Sequence, residues 1–147
     1  MLRIFAAVAA VAVGATIVQA QNMDVIKARK DLMKAVGGGA GAGAKMMKGE
    51  EPFDLAKVQA ALKTYADNTD KFKGMFSDDS KTGGETTALP KIWEAKADFA
   101  AKADKMVADA KAAATAIKDE ASFKTEWPKV MSNCGGCHKE YRQPPKQ

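Results

Sequence analysis

The chain has 147 residues, 46% of them hydrophobic, with 23 Lys and Arg against 18 Asp and Glu for a net charge of +5 at neutral pH. That length suits one domain around one core. The lysines are spread without the alternation of basic and aromatic residues that a nucleic-acid surface needs, so no nucleic-acid partner is expected.

The first twenty residues, "MLRIFAAVAAVAVGATIVQA", begin with a positive charge at Arg3. An apolar stretch follows from Ile4 to Val18, and Val18 and Ala20 flank Gln19 as small residues suited to cleavage. Residues 1–20 therefore read as an export signal removed after Ala20, too short and wrongly flanked for a spanning helix. No later apolar run is long enough to cross a membrane, so the mature domain, 21–147, is expected to be soluble in an exported compartment.

The first mature segment, "MDVIKARKDLMKAV", puts Val25, Arg29, Leu32 and Val36 on one helical stripe, with Ile26 and Met33 beside it. Five glycines then fall between Gly37 and Gly43. They cost a helix roughly 4–5 kcal/mol relative to alanine, so the stretch is either a flexible loop or a thin helix that lets something approach its backbone. From Asp54, a good N-cap, Leu55, Val58, Leu62, Tyr65, Thr69 and Phe72 recur at intervals of 3 and 4, the seam of a second amphipathic helix. Residues 73–89 read as a turn-rich connection. A third helix is predicted from Pro90 through Ile117, along Ile92, Phe99, Ala103, Met106, Ala110 and Ala113.

The last segment carries the chemistry. Phe123, Trp127, Val130, Cys134, Cys137 and Tyr141 form its seam, and the only two cysteines and the only histidine of the chain lie within "CGGCH", Cys134 to His138. In a Cys-x-x-Cys-His run both thiols add across the vinyl groups of a haem, and the neighbouring imidazole reaches the iron. On a helix Cys134, Cys137 and His138 share roughly one third of the circumference, so an attached haem points into the bundle. A disulfide or thiol-redox pair is the competing use, but a thioredoxin-type site opens a helix directly after a strand, and no strand pattern precedes Cys134. Zinc lacks a fourth ligand at metal-site spacing. Pro128 is expected to kink this helix, with a separate short helix over 119–127 as the alternative. Four amphipathic helices and one longer loop make an all-α, antiparallel up-down four-helix bundle, with covalent haem near its C-terminal end. For a haem protein the exported compartment is the bacterial periplasm.

The whole mature chain resembles the class II cytochromes c, the family of cytochrome c′ and its low-spin relatives. The likeness rests on "VIKARKDLMKAVG", "KGEEPFD", "LPKIWEAKADF" and "CGGCHKEYR". It implies one haem c on Cys134 and Cys137, with His138 as proximal iron ligand. Arg29 matches an arginine near the haem propionates, although it can also be read as snorkelling to the surface. Met33 matches the position that ligates the iron or covers its distal side. Trp93, Trp127 and Tyr141 are candidates for porphyrin contact or for ordinary core. The resemblance also suggests a homodimer through the first two helices; the lysine-rich faces read most simply as solvated, with docking to acidic periplasmic redox proteins as the sharper alternative.

No enzymatic step is implied. The leading expectation is a single-electron carrier with a His138/Met33 iron; the alternative is a five-coordinate iron that binds nitric oxide or carbon monoxide. As the only histidine, His138 rules out a bis-histidine iron within one chain, and a thioether is the next usual partner. Met131 sits one turn before Cys134 on the proximal side, Met106 belongs to the third seam, Met75 lies in the connection and Met23 at a frayed start. Met46 and Met47 stay possible only if the glycine-rich stretch folds back, and Met33 is favoured because it combines a facing helix, a stripe shared with Arg29 and the position that the resemblance implies. The intact mass of periplasmic protein is expected to be that of a polypeptide beginning at Gln21 plus one haem. A Cys134–Cys137 disulfide without haem, in a host that matures cytochromes c, would overturn the attachment.

Overall fold

The computed structural model describes the backbone of residues 13–144 and the side chains of residues 23–144; most of the expected export signal lies outside the described residues. Five α-helices follow in order: α1 (Val13–Lys48), α2 (Leu55–Lys73), the single turn α3 (Lys91–Glu94), α4 (Lys96–Ala116) and α5 (Glu120–Tyr141). The four long ones form the expected bundle. α2 packs against α1 and α4, and α4 against α5, whereas α1 and α5 meet only sparingly. Among the described residues no helix is long and apolar enough to cross a membrane.

The glycine-rich stretch is helical, and two of its glycines have a steric reason. A Cβ on Gly43 would lie 2.0 Å from Cζ2 of Trp127, and one on Gly39 would lie 3.1 Å from Cβ of Ala61 and 3.2 Å from the hydroxyl oxygen of Tyr65. Four residues apart, they share one face of α1, over which α2 and the Trp127 ring of α5 come down onto the backbone. The burial gained by that approach offsets the poor propensity, so the thin-helix reading holds. α1 stops at Gly49, whose φ of +73° places it in the left-handed region that ends helices.

α2 begins as its N-cap predicts, with the Asp54 carboxylate accepting from the Lys57 backbone N–H at 3.0 Å. Val58, Leu62, Tyr65 and Thr69 of its seam are buried. The third helix is not continuous. Ala95 leaves helical geometry (φ −123°, ψ 48°), dividing it into α3 and α4. Alanine offers no local reason to break; the cause is tertiary. Ile92 and Trp93 are both buried beside Phe99, and the Trp93 indole N–H donates to the Ser77 carbonyl at 3.0 Å, which pulls α3 toward the connection. Within that connection Asp78–Ser80 form a single 3-10 turn.

α5 runs unbroken through Pro128, so 119–127 is not a separate helix. Pro128 is exposed, and the Lys124 carbonyl that loses its partner can turn to water. The helix starts at a capping box: the Asp119 carboxylate accepts from the Ser122 N–H at 2.8 Å, and the Ser122 hydroxyl oxygen accepts from the Asp119 N–H at 3.1 Å. At the far end the chain is stitched to the connection, with the Leu89 N–H donating to the Tyr141 carbonyl (3.0 Å) and the Gln143 N–H to the Thr87 carbonyl (2.8 Å).

Two hydrophobic clusters result. The larger fills one end of the bundle around Leu62, Tyr65, Phe123 and Trp127; the smaller gathers Ile92, Trp93, Phe99 and Tyr141. Gly43→Ala is expected to destabilise the haem-loaded protein by about 1–3 kcal/mol, because Trp127 must shift. Gly41→Ala, whose Cβ meets nothing within 4 Å, is expected to stabilise it by up to about 1 kcal/mol. Urea denaturation of both variants measures the difference.

Candidate haem site

Between and beside the two clusters lies a cavity of about 510 Å³, walled by the four long helices and the 74–90 connection. Its volume falls in the usual range for small-molecule and cofactor sites. Cys134, Cys137 and His138 reach it from α5, and Arg29 and Met33 reach it from α1, so all five sequence candidates converge on one space.

The cysteines straddle the division of the core. Cys134 packs against the larger cluster and Cys137 against the smaller one. Both are free thiols, and burial raises both pKa values above the ordinary thiol range. A thiol–disulfide exchange site works the other way, lowering its pKa at a helix N-terminus. This pair sits in the C-terminal half of α5. His138 is half-buried, and burial, aided by the charge of Arg142, lowers its pKa. The ring is therefore neutral at pH 7, with one nitrogen lone pair free to act as a ligand.

Arg29 is buried, with 4% of its surface exposed, and does not snorkel. Its guanidinium donates to the Ser80 hydroxyl (3.1 Å), the Ser80 carbonyl (3.0 Å) and the Met75 carbonyl (3.3 Å), and lies over the Phe76 ring at 4.5 Å. Among the described residues no carboxylate lies within ion-pair distance of it. Lys30, Lys34, Lys102 and Arg142 complete the charged part of the wall, and every one is positive. Such a wall suits an apolar ligand that carries negative groups.

Of the methionines, Met33 and Met106 line the cavity. Met46 is buried in the larger cluster, with Met47 and Met131 packed against it, because α1 continues straight through the glycines instead of folding back. Of the three large aromatics singled out in the sequence, only Tyr141 faces the cavity. Its hydroxyl donates to the Asp98 carboxylate, which pushes its pKa up to about 12. Trp127 belongs to the larger cluster, and Trp93 stands behind Phe76, ring centroids 5.5 Å apart. The aromatic wall is instead Phe72, Phe76 and Phe99, with Phe76 and Phe99 edge to face at 4.8 Å. Phe72 and Phe99 were visible as seam residues. Phe76, inside a turn-rich connection, gave no periodic signal.

The family model for cytochrome C′ matches residues 24–142. The chain belongs to the cytochrome c′ family. It is 45% identical over 141 residues to cytochrome c′ of Rhodopseudomonas palustris, covering 96% of each chain. It is also 42% identical over 118 residues to cytochrome c-556 of Agrobacterium fabrum, covering 80% of each. The structure of cytochrome c′ from Rhodopseudomonas palustris superposes with a TM-score of 0.81 at 46% identity, covering 84% of this chain and 98% of that one.

A member of this family is a non-enzymatic haem protein with one covalent haem c. The residues present fit that group: two thiols and a neutral imidazole on one wall, aromatic rings on another, and a buried guanidinium without a carboxylate partner. Because Arg29 also holds the connection through three hydrogen bonds, Arg29→Met is expected to lower unfolding stability by about 2–3 kcal/mol, with Arg29→Lys recovering only part. A urea midpoint unchanged in Arg29→Met would show that the contacts carry no net stability.

Proposed function

We propose that this cytochrome c′-family protein is exported to the periplasm and binds carbon monoxide or nitric oxide, with Met33 as a lid over the distal side of the site. Cys134 and Cys137 would hold the haem through thioethers, His138 would be the proximal ligand, and Arg29 would meet its negative groups. Bound there, the haem would supply an iron able to bind a diatomic gas.

One observation carries the reading. α1, the distal wall, is pinned to α5 near Gly43 and lines the cavity with Met33, Gly37 and Ala40. At Met33, Gly37 and Ala40 that wall is apolar and spare and leaves room for a small neutral ligand, while the donors that α1 also brings to the cavity are Arg29, Lys30 and Lys34. Beside Met33, Gly37 and Ala40 desolvation favours such a ligand over water. The 45% identity to cytochrome c′ over almost the full length of both chains points the same way. The proximal side is held by position: α5 fixes His138 one residue after Cys137, and burial keeps its ring neutral.

The second reading is the single-electron carrier with Met33 bonded to the iron. Its support is that Met33 is a thioether on the helix across the cavity from His138, and that the chain is also similar to cytochrome c-556. The two readings part on Met33→Ala. If Met33 is a lid, the resting ferrous protein is high-spin, and the variant keeps that spectrum while taking up carbon monoxide several-fold faster in stopped flow. A resting low-spin spectrum that becomes high-spin in Met33→Ala would give the electron-carrier reading the lead.

A further inference from the structure

Three of the five glycines in the α1 stretch have no packing reason to be glycine. A Cβ on Gly37, Gly38 or Gly41 meets nothing within 4 Å, unlike Gly39 and Gly43. Nor does backbone geometry require them, since the positive-φ glycines among the described residues are Gly49, Gly83 and Gly84. Each weakens the helix relative to alanine. Of the three, only Gly37 lines the cavity.

Its position gives that placement a meaning. Gly37 follows Met33 by four residues, one helical turn, so the two lie one above the other on the cavity face of α1. Side chains on a helix lean toward its N-terminus, so a side chain on residue 37 would cover the turn that carries Met33. Methionine is unbranched, with three rotatable bonds, and takes whatever room it is given. We propose that Gly37 determines which ligands reach the distal side: the space left by its missing side chain is where the Met33 thioether retreats when a diatomic molecule enters. A larger residue at 37 would hold Met33 in place and shut that side. The inference rests on the gas-binding reading above and adds a second residue to it.

Gly41, exposed as Gly37 is but outside the cavity lining, supplies the control. Gly37→Ala and Gly41→Ala remove the same helix weakness without a clash, but only the first fills cavity space. Haem-loaded wild type, Gly37→Ala, Gly37→Leu and Gly41→Ala are compared by carbon monoxide stopped flow in the ferrous state, by visible spectrum and by thermal midpoint. Both alanine variants are expected to raise the midpoint alike. Carbon monoxide association is expected to slow several-fold in Gly37→Ala and on the order of tenfold in Gly37→Leu, and to stay at the wild-type rate in Gly41→Ala. Wild-type rates in both Gly37 variants would overturn the proposal, as would equal slowing in Gly41→Ala, which would assign the effect to backbone stiffness. If Gly37→Leu fails to load haem, Gly37→Ala alone decides by the same comparison. Wild-type protein that takes up no carbon monoxide would sink the gas-binding reading itself, whereas wild-type uptake with indifferent Gly37 variants would sink only this inference.

Discussion

The closeness of α1 to its neighbours at Gly39 and Gly43 is the constraint on which the rest of the site depends. There the helix has no side chain of its own on the inner face, and Tyr65 and Trp127 rest on its backbone. The two rings touch each other, with centroids 5.6 Å apart, so α1, α2 and α5 are locked through one aromatic pair. The arrangement is tight enough to bury the Tyr65 hydroxyl without a hydrogen-bond partner among the described residues, and burial raises its pKa well above the ordinary value. From that lock the cavity wall of α1 extends toward its N-terminal side, with Gly37, Met33 and Arg29 succeeding one another at four-residue intervals.

Charge is arranged to match. The charged residues of the cavity wall are five cations, and the acids that balance them stand outside it. Glu140 lies 2.6 Å from Lys91 and 3.1 Å from Lys102, while Asp98 accepts from Tyr141 and stands 3.9 Å from Lys102. Exposed pairs of this kind add little stability. Their effect is positional: they tie α4 to the end of α5 beside the attachment motif and leave Arg29 buried with only neutral partners. That guanidinium is also the brace of the connection, so the residue best placed to meet an anionic ligand is the one that keeps the loop over it in shape.

The attachment motif was legible in the sequence because its chemistry is local: five consecutive residues carry both thiols and the imidazole. The same is true of α2, where periodicity and the Asp54 cap agree, and of the seam of α5. What could not be read was set by distant partners. The glycine run was ambiguous because propensity speaks for a break, and only the approach of Tyr65 and Trp127 overrides it. The break at Ala95 falls on the best helix former of all, for the sake of Trp93 and its bond to Ser77. Phe76 and Ser80, which receive Arg29, lie in a stretch whose composition signals only a turn.

The stitch between residues 87–89 and 141–143 joins the middle of the chain to its end, just past the haem-attachment motif. Contacts between parts so far apart in sequence close late in folding, since their loop entropy must first be offset by the docked helices. Before that closure the last turns of α5 lack the wall formed by the connection, and both thiols lie open to solvent and to whatever delivers the cofactor. A chain open at this stitch would leave Cys134 and Cys137 uncovered on that side, and closing the two hydrogen bonds would bring the connection over them.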